Sequence, residues 1–181
     1  MRRLLGALVL LVLVAAGCGS GTGVQTTAET EGLYLDIDGL TYQIEMSRYM
    51  NQADLEDREY FVGLPNGTAQ PAADETWFGV WVRVENQTGR TLPSADRWEI
   101  HDTQDNVYRP IPIDTKINPF VYEAQDVPAG NVLPQPSTAA GQGPTQGLLM
   151  IFKIKTDSLQ NRPLELKFGT GSLEGTYDLD V

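Results

Sequence analysis

The strongest constraint in this chain is a period of two. Phe78, Val80, Val82 and Val84 alternate with Trp77, Gly79, Trp81 and Arg83. Such alternation puts successive side chains on opposite faces of a strand, and a helix of period 3.6 cannot sort it. The period recurs along the chain. Leu33, Leu35 and Ile37 alternate with Asp36 and Asp38, and Asp38-Gly39 is a hairpin turn signal. Beyond it, Leu40, Tyr42, Ile44 and Met46 are expected on one face, and Thr41, Gln43, Glu45 and Ser47 on the other. Trp98–His101 and Val107–Ile111 flank a polar 102–106 loop and read as a second hairpin. Pro110 and Pro112 lack ladder donors, which puts that strand at an edge or ends it. Gly147–Ile154 is almost continuously apolar, as a buried strand requires. Leu164, Leu166 and Phe168, then Tyr177, Leu179 and Val181, restore the alternation.

No amphipathic segment exceeds about two helical turns. About seven to nine short strands separated by turn signals predict an all-β, antiparallel sandwich. The Cys-Trp-Cys pattern of antibody domains is absent, so the expected fold is immunoglobulin-like. Val80, Val82, Leu148, Met150, Leu164 and Leu166 are the expected core. Two long connections, Met50–Glu75 and Asp114–Gln146, interrupt the strands, and the first is expected to hold a short strand or helical turn near Tyr60–Leu64.

The segment Phe78-Gly79-Val80-Trp81-Val82-Arg83-Val84-Glu85-Asn86 resembles the strand of telokin-like immunoglobulin-like domains found on bacterial surface lipoproteins. The hairpin Asp102-Thr103-Gln104-Asp105-Asn106-Val107-Tyr108 and the late apolar strand Leu148–Ile154 resemble the same family. The resemblance spans roughly Leu33–Val181. It implies an immunoglobulin-like fold and an extracytoplasmic setting. It names no reaction, because much of that family has no assigned function.

The N-terminus gives an address. Arg2 and Arg3 precede the apolar run Leu4–Val14 and the small residues Ala15-Ala16-Gly17. This is the layout of a secretory signal peptide, too short to span a bilayer comfortably. Val14-Ala15-Ala16-Gly17-Cys18 resembles a bacterial lipobox, which implies removal of residues 1–17 and diacylation of Cys18. Two acyl chains anchor a protein stably where one does not. Cys18 is the chain's single cysteine, so its lipidation leaves no thiol for a disulfide, a nucleophile or a metal. Residues 18–31, rich in Gly, Ser and Thr, read as a flexible tether, and residues 32–181 as one domain.

Removing Arg2 and Arg3 leaves 11 basic residues against 24 acidic ones, a net charge of −13. That field repels nucleic acid and anionic headgroups and tolerates basic partners. The expected partners are therefore the membrane, through the lipid anchor, and an envelope protein or wall component, with no nucleic acid.

Catalytic signals are sparse. His101 is the single histidine, lies in a predicted strand and has no nucleophile elbow near it. One histidine and no free cysteine argue against an ordinary zinc site. Asp102, Asp105 and Asn106, with Asp36, Asp38, Asp178 and Asp180, could supply oxygens to Ca²⁺, but they match no calcium loop and fit turn chemistry better. Neither a cofactor nor a resident metal is expected. Asn66-Gly67-Thr68 and Asn86-Gln87-Thr88 are read as turns.

The aromatics are the informative set. Phe120 and Tyr122 follow Pro119 in the second long connection, and Trp81 lies opposite the valine face. Aromatic side chains in a long loop suit partner recognition. These three are the candidate binding residues, and the competing account is that the loop folds over Trp77 and Trp81 and buries them. The expected function is a non-catalytic interaction module of the cell envelope, with a solute- or carbohydrate-binding lipoprotein as the alternative and an envelope hydrolase behind both.

Overall fold

A computed structural model describes residues 24–180. The signal segment and Cys18 lie outside them. Twelve strands follow in order: β1 Thr27–Ala28, β2 Tyr34–Ile37, β3 Leu40–Met50, β4 Glu75–Glu85, β5 Leu92–Pro93, β6 Arg97–His101, β7 Val107–Tyr108, β8 Asp126–Val127, β9 Val132–Leu133, β10 Leu148–Lys155, β11 Leu164–Gly169 and β12 Glu174–Leu179. Seven of these have four or more residues and carry the sandwich. One sheet runs β1-β12-β11-β6-β7 and the other β10-β4-β3-β2, with β9 also pairing β4. The long pairs are antiparallel, and β1 is parallel to β12. The immunoglobulin-like β-sandwich expected from the alternation is the fold observed.

The turn chemistry explains the first hairpin. Asp38 and Gly39 have φ of 53° and 85°, so a two-residue loop joins β2 to β3 and keeps the twist of both strands. Inside the sandwich, alternating residues of both sheets interdigitate. Val80, Val82, Leu148, Met150, Leu164 and Leu166 are all buried, as the pattern requires. An aromatic group joins the two sheets. Trp98 of β6 stacks on Phe168 of β11 with centroids 4.7 Å apart, and Tyr42 of β3 tilts against Phe168 at 4.8 Å. Each buried aromatic of this kind contributes about 1.5–3 kcal/mol through area alone. Their polar ends are satisfied. Tyr42 Oη accepts the Ala95 N–H at 2.8 Å, and Tyr177 Oη donates to the carbonyl of Tyr42 at 2.8 Å.

Three expectations are overturned. Met46 does not share a face with Ile44. A β-bulge at Glu45 places Ile44 opposite Val82 and Met46 opposite Trp81. One extra residue inverts the phase of everything after it. Met46, Arg48 and Met50 therefore leave the sandwich core and join Trp77, Gly79 and Trp81 on the sheet's other face.

The 18–31 tether is also too long by its last residues. Thr27 and Ala28 pair with Thr176 and Tyr177. Glu31 accepts the Ser47 N–H at 2.9 Å and the Asp180 N–H at 3.1 Å. A polar segment without periodicity is held here by side-chain carboxylates and one short parallel ladder, neither of which leaves a hydrophobic pattern. Val107–Ile111 is likewise shorter than expected: β7 ends at Tyr108, before Pro110.

Candidate functional site

The face of β4 and β10 that points away from the sandwich carries Trp77, Trp81, Leu149 and Ile151. Water does not reach them. The two long connections fold over this face and build a second apolar cluster with Met50, Tyr60, Phe61 and Ile113. Tyr60 and Phe61 come from a single 3₁₀ turn, Arg58–Phe61, where the sequence suggested local structure. The Tyr60 ring meets Trp81 edge-on at 5.6 Å, and Phe61 meets Trp77 at 5.5 Å. Arg48 lies over the Trp81 ring at 5.0 Å while its guanidinium pairs with Asp57 at 2.5 Å. Burial would raise the Asp57 carboxyl, but the hydrogen bonds from Arg48 and the Asn51 N–H outweigh it and hold it below the usual range.

Asn118 ties the two connections together. Its Nδ2 donates to the carbonyls of Tyr60 and Val62 at 2.8 and 2.9 Å, and its Oδ1 accepts the Phe120 N–H at 3.0 Å. The chain then runs beside the free edge of β10. Leu149 N–H donates to Phe120 O at 2.7 Å, and Tyr122 N–H donates to Leu149 O at 2.9 Å. Farther along that edge, Ile111 N–H donates to Ile151 O at 2.8 Å. These segments cover an edge that would otherwise offer unpaired backbone groups to another chain.

The three candidate binding residues are thereby separated. Trp81 is 1% exposed, beneath Tyr60 and Arg48, so it has no surface to give a partner. Its expected contact role is corrected by the covering of its face. Phe120 and Tyr122 are both half-buried, against different aromatic partners. Phe120 packs on Tyr60 with centroids 5.2 Å apart and lines a cleft of about 780 Å³ shared with Arg48, Glu56, Glu59 and Pro144. Tyr122 packs on Trp98 at 5.3 Å, and its hydroxyl donates to Ala95 O at 2.6 Å. Burial pushes the Tyr122 hydroxyl up to about 12, so it stays a neutral donor.

Tyr122 lines a separate cleft, of about 450 Å³, between residues 110–116 and 121–124. Trp98 of one sheet and Leu149 and Met150 of the other contribute to its apolar lining. Its charged lining is Asp96, Asp114, Glu123 and Lys116, three acids against one base. Thr115 Oγ1 donates to Glu123 Oε2 at 2.8 Å and joins the two walls. Ile111, Ile113 and Asp114, which help form it, carry no motif. The signal that could have located them is the paired prolines at 110 and 112, which end β7 and send the chain across the sheet edge.

The single histidine lines neither cleft. His101 Nε2 lies 3.1 Å from Glu99 on the outward face of β6, and Glu99 also accepts from Arg109 at 2.6 Å. Among the described residues no three of His, Cys, Asp and Glu are grouped to hold a metal ion. The acidic turn at Asp102 spends its oxygens locally: Oδ1 accepts the N–H groups of Gln104 and Asn106 at 2.9 and 3.0 Å, and Oδ2 the Asn106 side chain at 2.8 Å. Asn86, the acceptor residue of one glycosylation-like triplet, is fully buried, with its amide bound to Arg90 O and Val127 O.

No protein-family model matches the chain, and no curated protein matches it. Solved structures do. The yjhA protein of Bacillus subtilis is similar over 84% of this chain and 99% of its own, at 10% identity and a TM-score of 0.50. An uncharacterized β-sandwich protein of Clostridium difficile is similar over 84% and 95%, at 11% identity and a TM-score of 0.46. A candidate lipoprotein of Bacillus subtilis, ycdA, matches over 84% of this chain and 39% of its own, at 12% identity and a TM-score of 0.49. At such identities the likeness to yjhA speaks to the fold alone.

Proposed function

We propose that this protein is a non-catalytic interaction module of the cell envelope, held at the extracytoplasmic face of the membrane by diacylated Cys18, and that it engages its partner at the Tyr122 cleft. The observation that carries this reading is the cleft itself. The connection between β7 and β8 folds onto one sheet edge and leaves an apolar hollow rimmed by Asp96, Asp114 and Glu123. Such a rim favours a partner that presents basic and apolar groups together, in keeping with the net charge of the chain. The setting of His101, hydrogen-bonded to Glu99 away from both clefts, supports the non-catalytic part. No helix among the described residues is long and apolar enough to cross a membrane, so the anchor rests on the lipobox.

Two measurements test this. Fractionation of cells expressing Cys18→Ala should show the protein leaving the membrane fraction or remaining unprocessed, and unchanged retention would defeat the anchor. Cross-linking on intact cells, compared between the native chain and Asp114→Lys/Glu123→Lys, should lose its main adduct in the variant. An identical adduct pattern would remove the cleft from the reading.

A further inference from the structure

Tyr60 is 9% exposed, and its hydroxyl has no hydrogen-bond partner among the described residues. It is not sealed off as the Trp77 indole nitrogen is, so solvent reaches it. Tyr60 lines the cleft of about 780 Å³ between the Arg58–Phe61 turn and residues 142–145, at the end of the short helix Ala139–Gln142. It is the least exposed residue of that lining. The charges that act on its hydroxyl are those of Arg48 and Glu59 in the same cleft and of Asp57 beside them. The hydroxyl therefore opens on the cleft. Burial raises it above its ordinary range, so it stays neutral and can both donate and accept. A buried hydroxyl without a protein partner is normally answered by water or ligand, because leaving it unmet is costly.

The charge balance selects what can enter. Arg48 is the one base in the lining, and Asp57 engages it. Glu56 and Glu59 are exposed and pair with no base among the described residues. An anion would meet two uncompensated carboxylates and one spent guanidinium. A cation meets the favourable balance. Apolar contact comes from Pro144 and from Phe120, whose ring lies 5.2 Å from that of Tyr60 at 76°. Aromatic rings attract a cation and also pack on the methylenes that carry it.

We infer that this cleft binds an alkylammonium group. The carboxylates of Glu56 and Glu59 meet the ammonium, Phe120 and Pro144 pack on its methylenes, and the Tyr60 hydroxyl accepts one of its N–H groups from the buried end. The site shares no residue with the Tyr122 cleft and does not depend on the partner proposed there.

The test uses the chain from Gly19 onward, labelled with ¹⁵N. Residues 24–180 contain both sheets and both apolar clusters, so this chain folds without its anchor. It is titrated with cadaverine, with Nα-acetyl-lysine methylamide and, as an uncharged comparison, with 1,5-pentanediol. The expected result is a saturable shift of the backbone amides of Glu56, Glu59, Tyr60, Phe120 and Gln142 with both amines and none with the diol. Tighter binding of cadaverine assigns the site to a free amine, and tighter binding of the lysine derivative assigns it to a lysine side chain of another protein. Affinity should fall by about three-fold or more in Tyr60→Phe, which keeps the ring and removes one hydrogen bond. It should fall by about three-fold or more in Glu56→Gln/Glu59→Gln, whose exposed positions leave the fold intact. The inference is overturned if neither amine shifts these signals up to the order of 10 mM, or if the diol shifts them equally. It is also overturned if both variants bind as well as the native chain, or if the shifts spread over the acidic surface instead of gathering at this cleft.

Discussion

Asn118 donates to the backbone carbonyl of Tyr60 at 2.8 Å, across 58 residues of chain. A buried side chain in the second long connection therefore fixes the 3₁₀ turn of the first. Neither connection has a ladder of its own at this place, and their shared cluster of Tyr60, Phe61, Trp77, Trp81 and Ile113 closes only when both are present.

Asn118→Ala removes three hydrogen bonds and leaves the Tyr60 and Val62 carbonyls without that donor. The expected loss is about 2–3 kcal/mol of unfolding free energy in urea. A loss below about 0.5 kcal/mol would mean that the connections are held by apolar contact alone.

Gly79 is required by close approach rather than by backbone angle. A Cβ there would lie 2.5 Å from Met50 Sδ and 2.8 Å from the Trp81 ring. Gly79→Ala should destabilise by about 1–3 kcal/mol through overpacking. Met50→Ala, which cuts back the nearest side chain, should cost about 2 kcal/mol alone and relieve part of the Gly79→Ala defect in the double variant. Strict additivity in thermal unfolding would refute the proposed contact.

The sandwich was legible because its evidence is local. Alternation at Phe78–Val84, the Asp38-Gly39 turn and the prolines at 110 and 112 each act through neighbours in the chain. The second cluster was not legible. The bulge at Glu45 has no sequence mark of its own, yet it sends Met46, Arg48 and Met50 to the outer face. There they meet Tyr60 and Phe120, residues whose positions depend on long-range contacts. The competing account of Phe120 and Tyr122, that the loop closes over Trp77 and Trp81, needed only the alternation to be stated. Deciding it required the Leu149 pairing.

That pairing makes both aromatics structural whatever else they do. Tyr122→Phe loses the bond to Ala95 O and should cost about 1 kcal/mol. Tyr122→Ala also removes the ring from Trp98, and Phe120→Ala removes the ring from Tyr60, for about 2–3 kcal/mol each, since both sites are half-buried. Melting curves within a degree of the native protein would show that the two rings are held for recognition instead.

Asp102 links the second hairpin to acid stability. Burial by itself would raise its carboxyl, but the Asn106 side chain and the Asn106 and Gln104 N–H groups hold it far below the ordinary range. A carboxyl depressed in the folded state binds protons more readily when unfolded. Its contribution is therefore full above the unfolded value near 3.9 and is lost as pH falls below it. Asp102→Asn keeps an acceptor at Oδ1 and removes the titration. The variant should be less stable than the native chain at pH 7, by about 1–3 kcal/mol. The gap should narrow steadily as the pH is lowered from about 5 toward 2. Urea unfolding of both chains across that range measures it, and a gap independent of pH would show that the charge on Asp102 does not hold the turn.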